Sequence, residues 1–206
     1  MPEWLTELID PNWLTAVAAA VTAVSVFLLW NQVKADHERS RRENSIEMMA
    51  SWNDAIYRDS PSLPFIIMLV KEFDEKQCFS LWRSEEIEVE IKHRKLVEKC
   101  AVTLDLESET SLDGKRIIMS EKLSSAMRPK ISHYLNSVEI LATAWRHHTV
   151  DRDIIEEEFV FIFSRSKNNF PFDVFRKITS VYPSLDEILK AFDKKEGSRK
   201  NKEPIA

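Results

Sequence analysis

Residues 11–33, "PNWLTAVAAAVTAVSVFLLWNQV", carry no charged side chain, and nothing else in the sequence restricts the fold so tightly. A helix rises about 1.5 Å per residue, and about 20 apolar residues cross the hydrocarbon core of a bilayer. Trp13 and Trp30 bracket the run, where interfacial aromatic residues belong. A cleaved secretory signal needs a basic start, yet the preceding residues include Glu3, Glu7 and Asp10 and no Lys or Arg. A helix buried in a soluble domain should keep a charged face, and this one has none. The stretch therefore reads as a transmembrane helix over residues 12–33. It follows a short external segment, residues 1–11, whose Trp4, Leu5, Leu8 and Ile9 suit the outer interface.

Charge sets the expected orientation. Lys34, Arg39, Arg41 and Arg42 follow the apolar run and only acidic residues precede it, so the positive-inside bias places residues 34–206 in the cytoplasm of a bacterial inner-membrane protein. The same four residues are candidates for contact with anionic lipid. Within the span, Thr15, Ala18, Thr22 and Ser25 recur at steps of three and four, and Ala19 adds a second small residue beside them. Small residues let transmembrane helices approach closely and hydroxyls can bond across the contact. The pattern reads as a self-association seam, with the lining of a narrow pore as the sharper alternative and ordinary filler as the bland one.

The rest of the chain is built for water: 31% of all 206 residues are charged. Only two are glycine, Gly114 and Gly197. Turns, bulges and phosphate-cradling loops need glycine, so a Rossmann or P-loop site and a many-turned barrel are disfavoured. The expected class is all-α: the N-terminal helix continues into a cytoplasmic helical bundle. Cys78 and Cys100 show no zinc spacing, and no cofactor or metal is expected. A net charge of −5 argues against nonspecific nucleic-acid binding by the whole chain.

Periodicity divides the soluble part. Residues 34–60 read as a juxtamembrane helix with Ser45, Met49, Trp52 and Ile56 on one stripe, ended by Pro61 and Pro64. Residues 61–196 read as the helical domain. Its expected helices include "PFIIMLVKEF", a long helix over residues 84–106 with Ser84 as N-cap, and "DVFRKITSVYP". "SETSLDGK" reads as a turn with room for a short hairpin. The strongest 3.6-residue period, Ile131, Tyr134/Leu135, Val138, Leu141/Ala142 and Trp145, precedes an Asp151-capped helix, "RDIIEEEFVFIF". Together these predict a helical hairpin near residues 130–165. Ser184 and Glu187 form a capping-box pattern in "SLDEILKAFDKKEG", closing at Gly197, and residues 197–206 read as a disordered tail.

The segment "LNSVEILATAWRHHTVDRDIIEEEFVFIF" resembles the core of a bacterial family of uncharacterised single-pass membrane proteins. There a Leu-Asn-x-x-Glu helix is followed by an Asp-capped helix, and a "RRENSIEMMASWND"-like helix lies just after the anchor. The resemblance extends loosely over residues 38–193. It implies an N-terminal anchor on a small helical cytoplasmic domain, and carries over no activity. Asn136 and Glu139 match its pattern, and one turn apart they suit a structural hydrogen-bond network across the hairpin.

Signals for catalysis are thin. Arg128 and His133 fit the Arg-x4-His spacing of a helical ribonuclease family, with Arg stabilising phosphate charge and His moving a proton, although Pro129 is unusual in such a helix. His147, His148 and Asp151 cluster at a turn, but Asp151 is better read as a cap. The expected function is a non-enzymatic, membrane-tethered interaction or regulatory module, self-associating and binding lipid and a protein partner through its helix faces. The alternatives are a membrane-disrupting effector of an antiphage defence or toxin system, and a tethered ribonuclease.

Overall fold

The computed structural model describes residues 11–58, 60–106, 111–113, 116–163 and 173–200. The expectations for residues 1–10 and 201–206 lie outside them. The fold is all-α with one small sheet. Its first helix, α1 (Pro11–Asn53), runs 43 residues, roughly 65 Å at 1.5 Å per residue. Pro11 stands at its start, and neither proline nor glycine interrupts it. It passes without a break from the apolar stretch into the charged one. There Arg39 and Glu43 pair one turn apart at 2.8 Å, before a π-helical turn at Asp54–Arg58.

Short helices α2 (Leu63–Val70) and α3 (Glu75–Trp82) follow. A capping box starts α3: Asp74 accepts from the Gln77 N–H and Gln77 accepts in return. The helix expected over residues 84–106 is replaced by strand β1 (Ile87–Glu90), a 3₁₀ turn at Ile91–His93 and helix α4 (Arg94–Thr103). Strands β2 (Ser111–Asp113) and β3 (Arg116–Met119) complete an antiparallel sheet in the order β1-β3-β2. Alternation explains the difference. In "IEVE", Ile87 and Val89 point inward while Glu88 and Glu90 point out. Opposite Met119 and Ile117, also buried, these β-branched residues gain more from cross-strand packing than from a helix.

Helix α5 (Glu121–Arg146) is the spine of the domain, started by Ser120 accepting from the Leu123 N–H. It begins a good two turns before the expected hairpin and carries an exposed Pro129 inside it. The stripe from Leu123 through Met127, Ile131, Leu135, Val138, Leu141 and Trp145 is buried. The expected partner helix is divided into α6 (Arg152–Glu158) and α7 (Val160–Phe163) at Phe159. After α8 (Asp173–Thr179), the long α9 (Pro183–Lys200) packs along α5 through Leu185, Ile188, Leu189 and Phe192. It continues past Gly197, so no glycine stop forms there.

Arg176, 8% exposed at its side chain, ties α8 to α9. It is held by Asp173 at 2.5 Å on its own helix and by Asp186 on the next. Burial raises the Asp173 carboxyl, yet hydrogen bonds from Lys177 and Arg176 outweigh it and hold the group below its ordinary range.

Among the described residues, four helices end on a non-glycine residue in the left-handed conformation: Ser84, Asp105, His148 and Ser180, with φ of 60°, 57°, 56° and 52°. Ser84 therefore ends α3 rather than starting a helix. After α3, α4 and α5 the paired closing bonds of a Schellman motif are present, as in Asp105 N–H to the Val102 carbonyl and Leu106 N–H to that of Ala101. A side chain costs about 1–2 kcal/mol in this region. Asp105→Gly should therefore raise stability by about 0.5–1 kcal/mol after the extra unfolded-state entropy of glycine, while Asp105→Ala should lower it. Thermal unfolding of the two variants, followed by circular dichroism, checks the opposite signs.

Candidate functional site

Where α1 leaves its apolar stretch it docks onto the connector between α5 and α6, and the docking is polar. Ser45, fully buried on the inward stripe of α1, donates to the Arg41 carbonyl at 2.8 Å. The same hydroxyl accepts the backbone N–H of Asp151 at 2.8 Å. One turn of α1 is thus spliced to the N-cap residue of α6. Asn44 donates to the Thr149 carbonyl at 3.1 Å, and Arg42 lies 3.4 Å from the Asp151 carboxylate. Asp151 also caps α6 by accepting from the Asp153 N–H. It thereby serves helix start, ion pair and splice together.

Two turns further on, apolar contact takes over. The Trp52 ring meets Phe159 edge-on at 5.0 Å and Tyr134 at 6.5 Å, with Met48 and Met49 packed beside it on the core. The Trp52 indole N–H is buried without an acceptor among the described residues, so ring packing rather than hydrogen bonding holds this side chain. On the far side of the connector, Arg152 stacks over Trp145 at 4.3 Å and donates to the Trp145 carbonyl. The Trp145 indole donates to Glu156 at 3.0 Å, and Glu156 pairs with Lys195 of α9.

Glu139 does not bridge the expected hairpin. Its carboxylate accepts the backbone N–H groups of Ser184 at 3.0 Å and Leu185 at 2.8 Å, capping α9 from α5. That satisfies donors a helix start leaves unpaired and places an anion at the positive end of the dipole. Ser184 meets Thr143 at 3.0 Å and Glu187 pairs with Arg146 at 3.1 Å. The residues read as a local capping box serve α5 instead. Asn136 is exposed.

The remaining sequence candidates are scattered. Trp13 and Trp30, 62% and 70% exposed, stand at the two ends of the apolar stretch. Thr15, Ala18, Ala19, Thr22 and Ser25 are exposed along α1, and Thr22 and Ser25 donate back to the Ala18 and Val21 carbonyls at 2.8 Å. Of the basic cluster, Lys34 is exposed, Arg39 is taken by Glu43, Arg42 by Asp151, and Arg41 is partly covered. Arg128 stacks over Trp82 at 5.0 Å. His133 is exposed and five residues on, about 140° around the helix, so the two do not converge.

Sequence reading missed Ser45, Asn44 and Thr149 as partners. The available signal was a lone hydroxyl at the buried position of an otherwise apolar stripe. No protein-family model, curated protein or solved structure matches this chain.

Ser45→Ala should cost about 1–2 kcal/mol, because the buried Asp151 N–H then keeps only the longer bond to the Arg41 carbonyl, at 3.3 Å. Glu139→Ala should cost about 1–3 kcal/mol, and Glu139→Gln, which keeps one acceptor, distinctly less. Denaturant unfolding of the three variants measures both differences.

Proposed function

We propose that the chain is a single-span tether of the bacterial inner membrane, N-terminus outside, with a non-enzymatic helical interaction module in the cytoplasm. It belongs by this reading with the uncharacterised single-pass proteins that its hairpin segment resembles. The observation that carries the reading is the continuity of α1. Its N-terminal part is long and apolar enough to cross a membrane and buries none of that surface in the domain, while its C-terminal part is spliced into the core at Ser45. Basic residues after the apolar stretch and acidic ones before it support the orientation.

Copies associate through the face carrying Thr15, Ala18, Thr22 and Ser25, and the rigid helix carries that association to the α5–α6 connector. A protein partner then reads the helical domain in its assembled arrangement. Back-bonded Thr22 and Ser25 hydroxyls keep lone pairs for a neighbouring helix.

Cysteine crosslinking in native membranes tests this directly. The natural thiols are quiet: Cys78 is pushed up to about 12 by burial and then by Asp74 and Glu75, and Cys100 to about 12 by burial. Ala18→Cys and Thr22→Cys should give disulfide-linked dimers at least about fivefold above Ala20→Cys and Val24→Cys, which lie on the opposite side of the helix. Equal crosslinking at all four positions removes the seam. Release of the chain by alkaline carbonate removes the tether. Membrane depolarisation on expression, abolished by Thr22→Leu with Ser25→Leu, would replace the tether with a pore-forming effector.

A further inference from the structure

The membrane-near end of the domain is defined by how α1 and α5 lie. Trp52 faces Tyr134, and Ser45, about two turns earlier, faces Asp151 just past the end of α5. The two helices are therefore antiparallel, and the α5–α6 connector is the part of the domain nearest the apolar stretch. Between it and α1 lies a shallow cleft of about 480 Å³, lined by His37, Ser40, Arg41, Asn44, His148 and Thr149. No carboxylate lines it. Among the described residues, none of His37, Arg41 and His148 forms an ion pair. A second cleft that shares Arg41 and His148 is lined by Glu38, Asp151 and Asp153 together with Arg42 and Arg152, so carboxylates stand beside Arg41 and His148 there and not in the first cleft.

Distance fixes which anion. His37 stands four residues, about 6 Å, beyond Val33, and Arg41 about 12 Å beyond it. The headgroup layer is about 5–8 Å thick on each face. His37 thus lies within it, and the long Arg41 side chain reaches back toward it. His148 is fixed beside them by the Schellman closure of α5, with Thr149 N–H on the Ala144 carbonyl at 3.1 Å. The Arg41 guanidinium, the His37 and His148 imidazoles and the Ser40 hydroxyl line this one small opening, while Asn44 and the Thr149 hydroxyl donate to the Thr149 and Ala144 carbonyls.

We propose that this cleft holds the phosphate of an anionic phospholipid headgroup from the leaflet into which the apolar stretch emerges. The inference rests on the tether reading above. Binding joins α1, the connector and one lipid into a single unit, and gives the domain a fixed rotational face toward the bilayer. Phosphate is a bidentate target for the Arg41 fork, with the His37 imidazole on its bilayer side and the His148 imidazole beside it.

The test uses the full-length chain in mild detergent and native mass spectrometry. Phosphatidylglycerol and phosphatidylcholine of matched acyl chains are added, with millimolar inorganic phosphate in a separate arm. The wild-type chain should retain phosphatidylglycerol at least about fivefold over phosphatidylcholine. Arg41→Gln with His148→Asn should reduce that preference about five- to tenfold, and each single variant should fall between. Asn tolerates the positive φ at 148, and unchanged circular dichroism certifies the fold. Lys95→Gln with Lys122→Gln removes two charges from exposed positions on α4 and at the far end of α5, outside the cleft, and should keep the preference. An equal loss in that variant, displacement of the lipid by inorganic phosphate, or no preference in the wild type overturns the proposal. Carbonate extraction separates the two readings: a chain released from membranes ends both, while a retained chain without lipid preference ends the headgroup site alone.

Discussion

An α-helix satisfies its own backbone hydrogen bonds whatever the solvent around it, and everything else in this structure depends on that property of α1. The helix leaves the domain bare for about six turns of uncharged sequence and then enters it without a change of secondary structure. A strand or loop at the crossover would have stranded its backbone groups on the apolar side. Continuity in turn demands that the domain accept a helix whose direction is already set. It does so by matching polar groups at one point, Ser45 against the Asp151 amide, before committing aromatic surface at Trp52.

The domain meets this demand with few turns and almost no glycine. Helix ends are closed on Ser, Asp and His in the left-handed region, and, besides Asp74 at α3, two further helix starts are satisfied by carboxylates, Asp151 for α6 and Glu139 for α9. In both cases the acid also reaches another element: Asp151 meets α1, and Glu139 comes from α5 itself. Local helix termination and tertiary docking are thereby the same interaction, and a single substitution disturbs both. The small sheet, by contrast, is packed on the side of the domain formed by α3 and contributes Ile87, Val89, Ile117 and Met119 to buried positions.

The uncharged run located the start of α1, and periodicity located α2, the C-terminal two-thirds of α5, α8 and most of α9, because each turns apolar residues toward the core at the 3.6-residue interval. It failed at residues 87–90. Four residues of alternating Ile, Glu, Val and Glu also fit a helix, and only the partner strand near 117–119 decides between them. It failed again at the α9 start, where Ser184 and Glu187 had the spacing of a self-contained cap while the true acceptor, Glu139, sits 45 residues earlier. Asp151 was legible as a cap because its bond to Asp153 is local. Its bonds to Arg42 and Ser45 were not, since they span more than a hundred residues. Gly197 misled because the residue type fits a stop, whereas the helix continues on its own hydrogen bonds to Lys200.

The absence of any proline or glycine between Pro11 and Asn53 has a mechanical meaning. Placed in a bilayer, 23 uncharged residues measure about 34 Å along the axis against a hydrocarbon core of about 30 Å, a mismatch relieved by leaning roughly 30° from the normal. A jointed tether would absorb that lean at its hinge. Here the axis is one stiff rod embedded in the core beyond Ser45, so the lean passes undiminished to the domain. For a chain anchored as proposed, the thickness of the surrounding lipid would thereby be translated into the angle at which the helical domain stands over the surface.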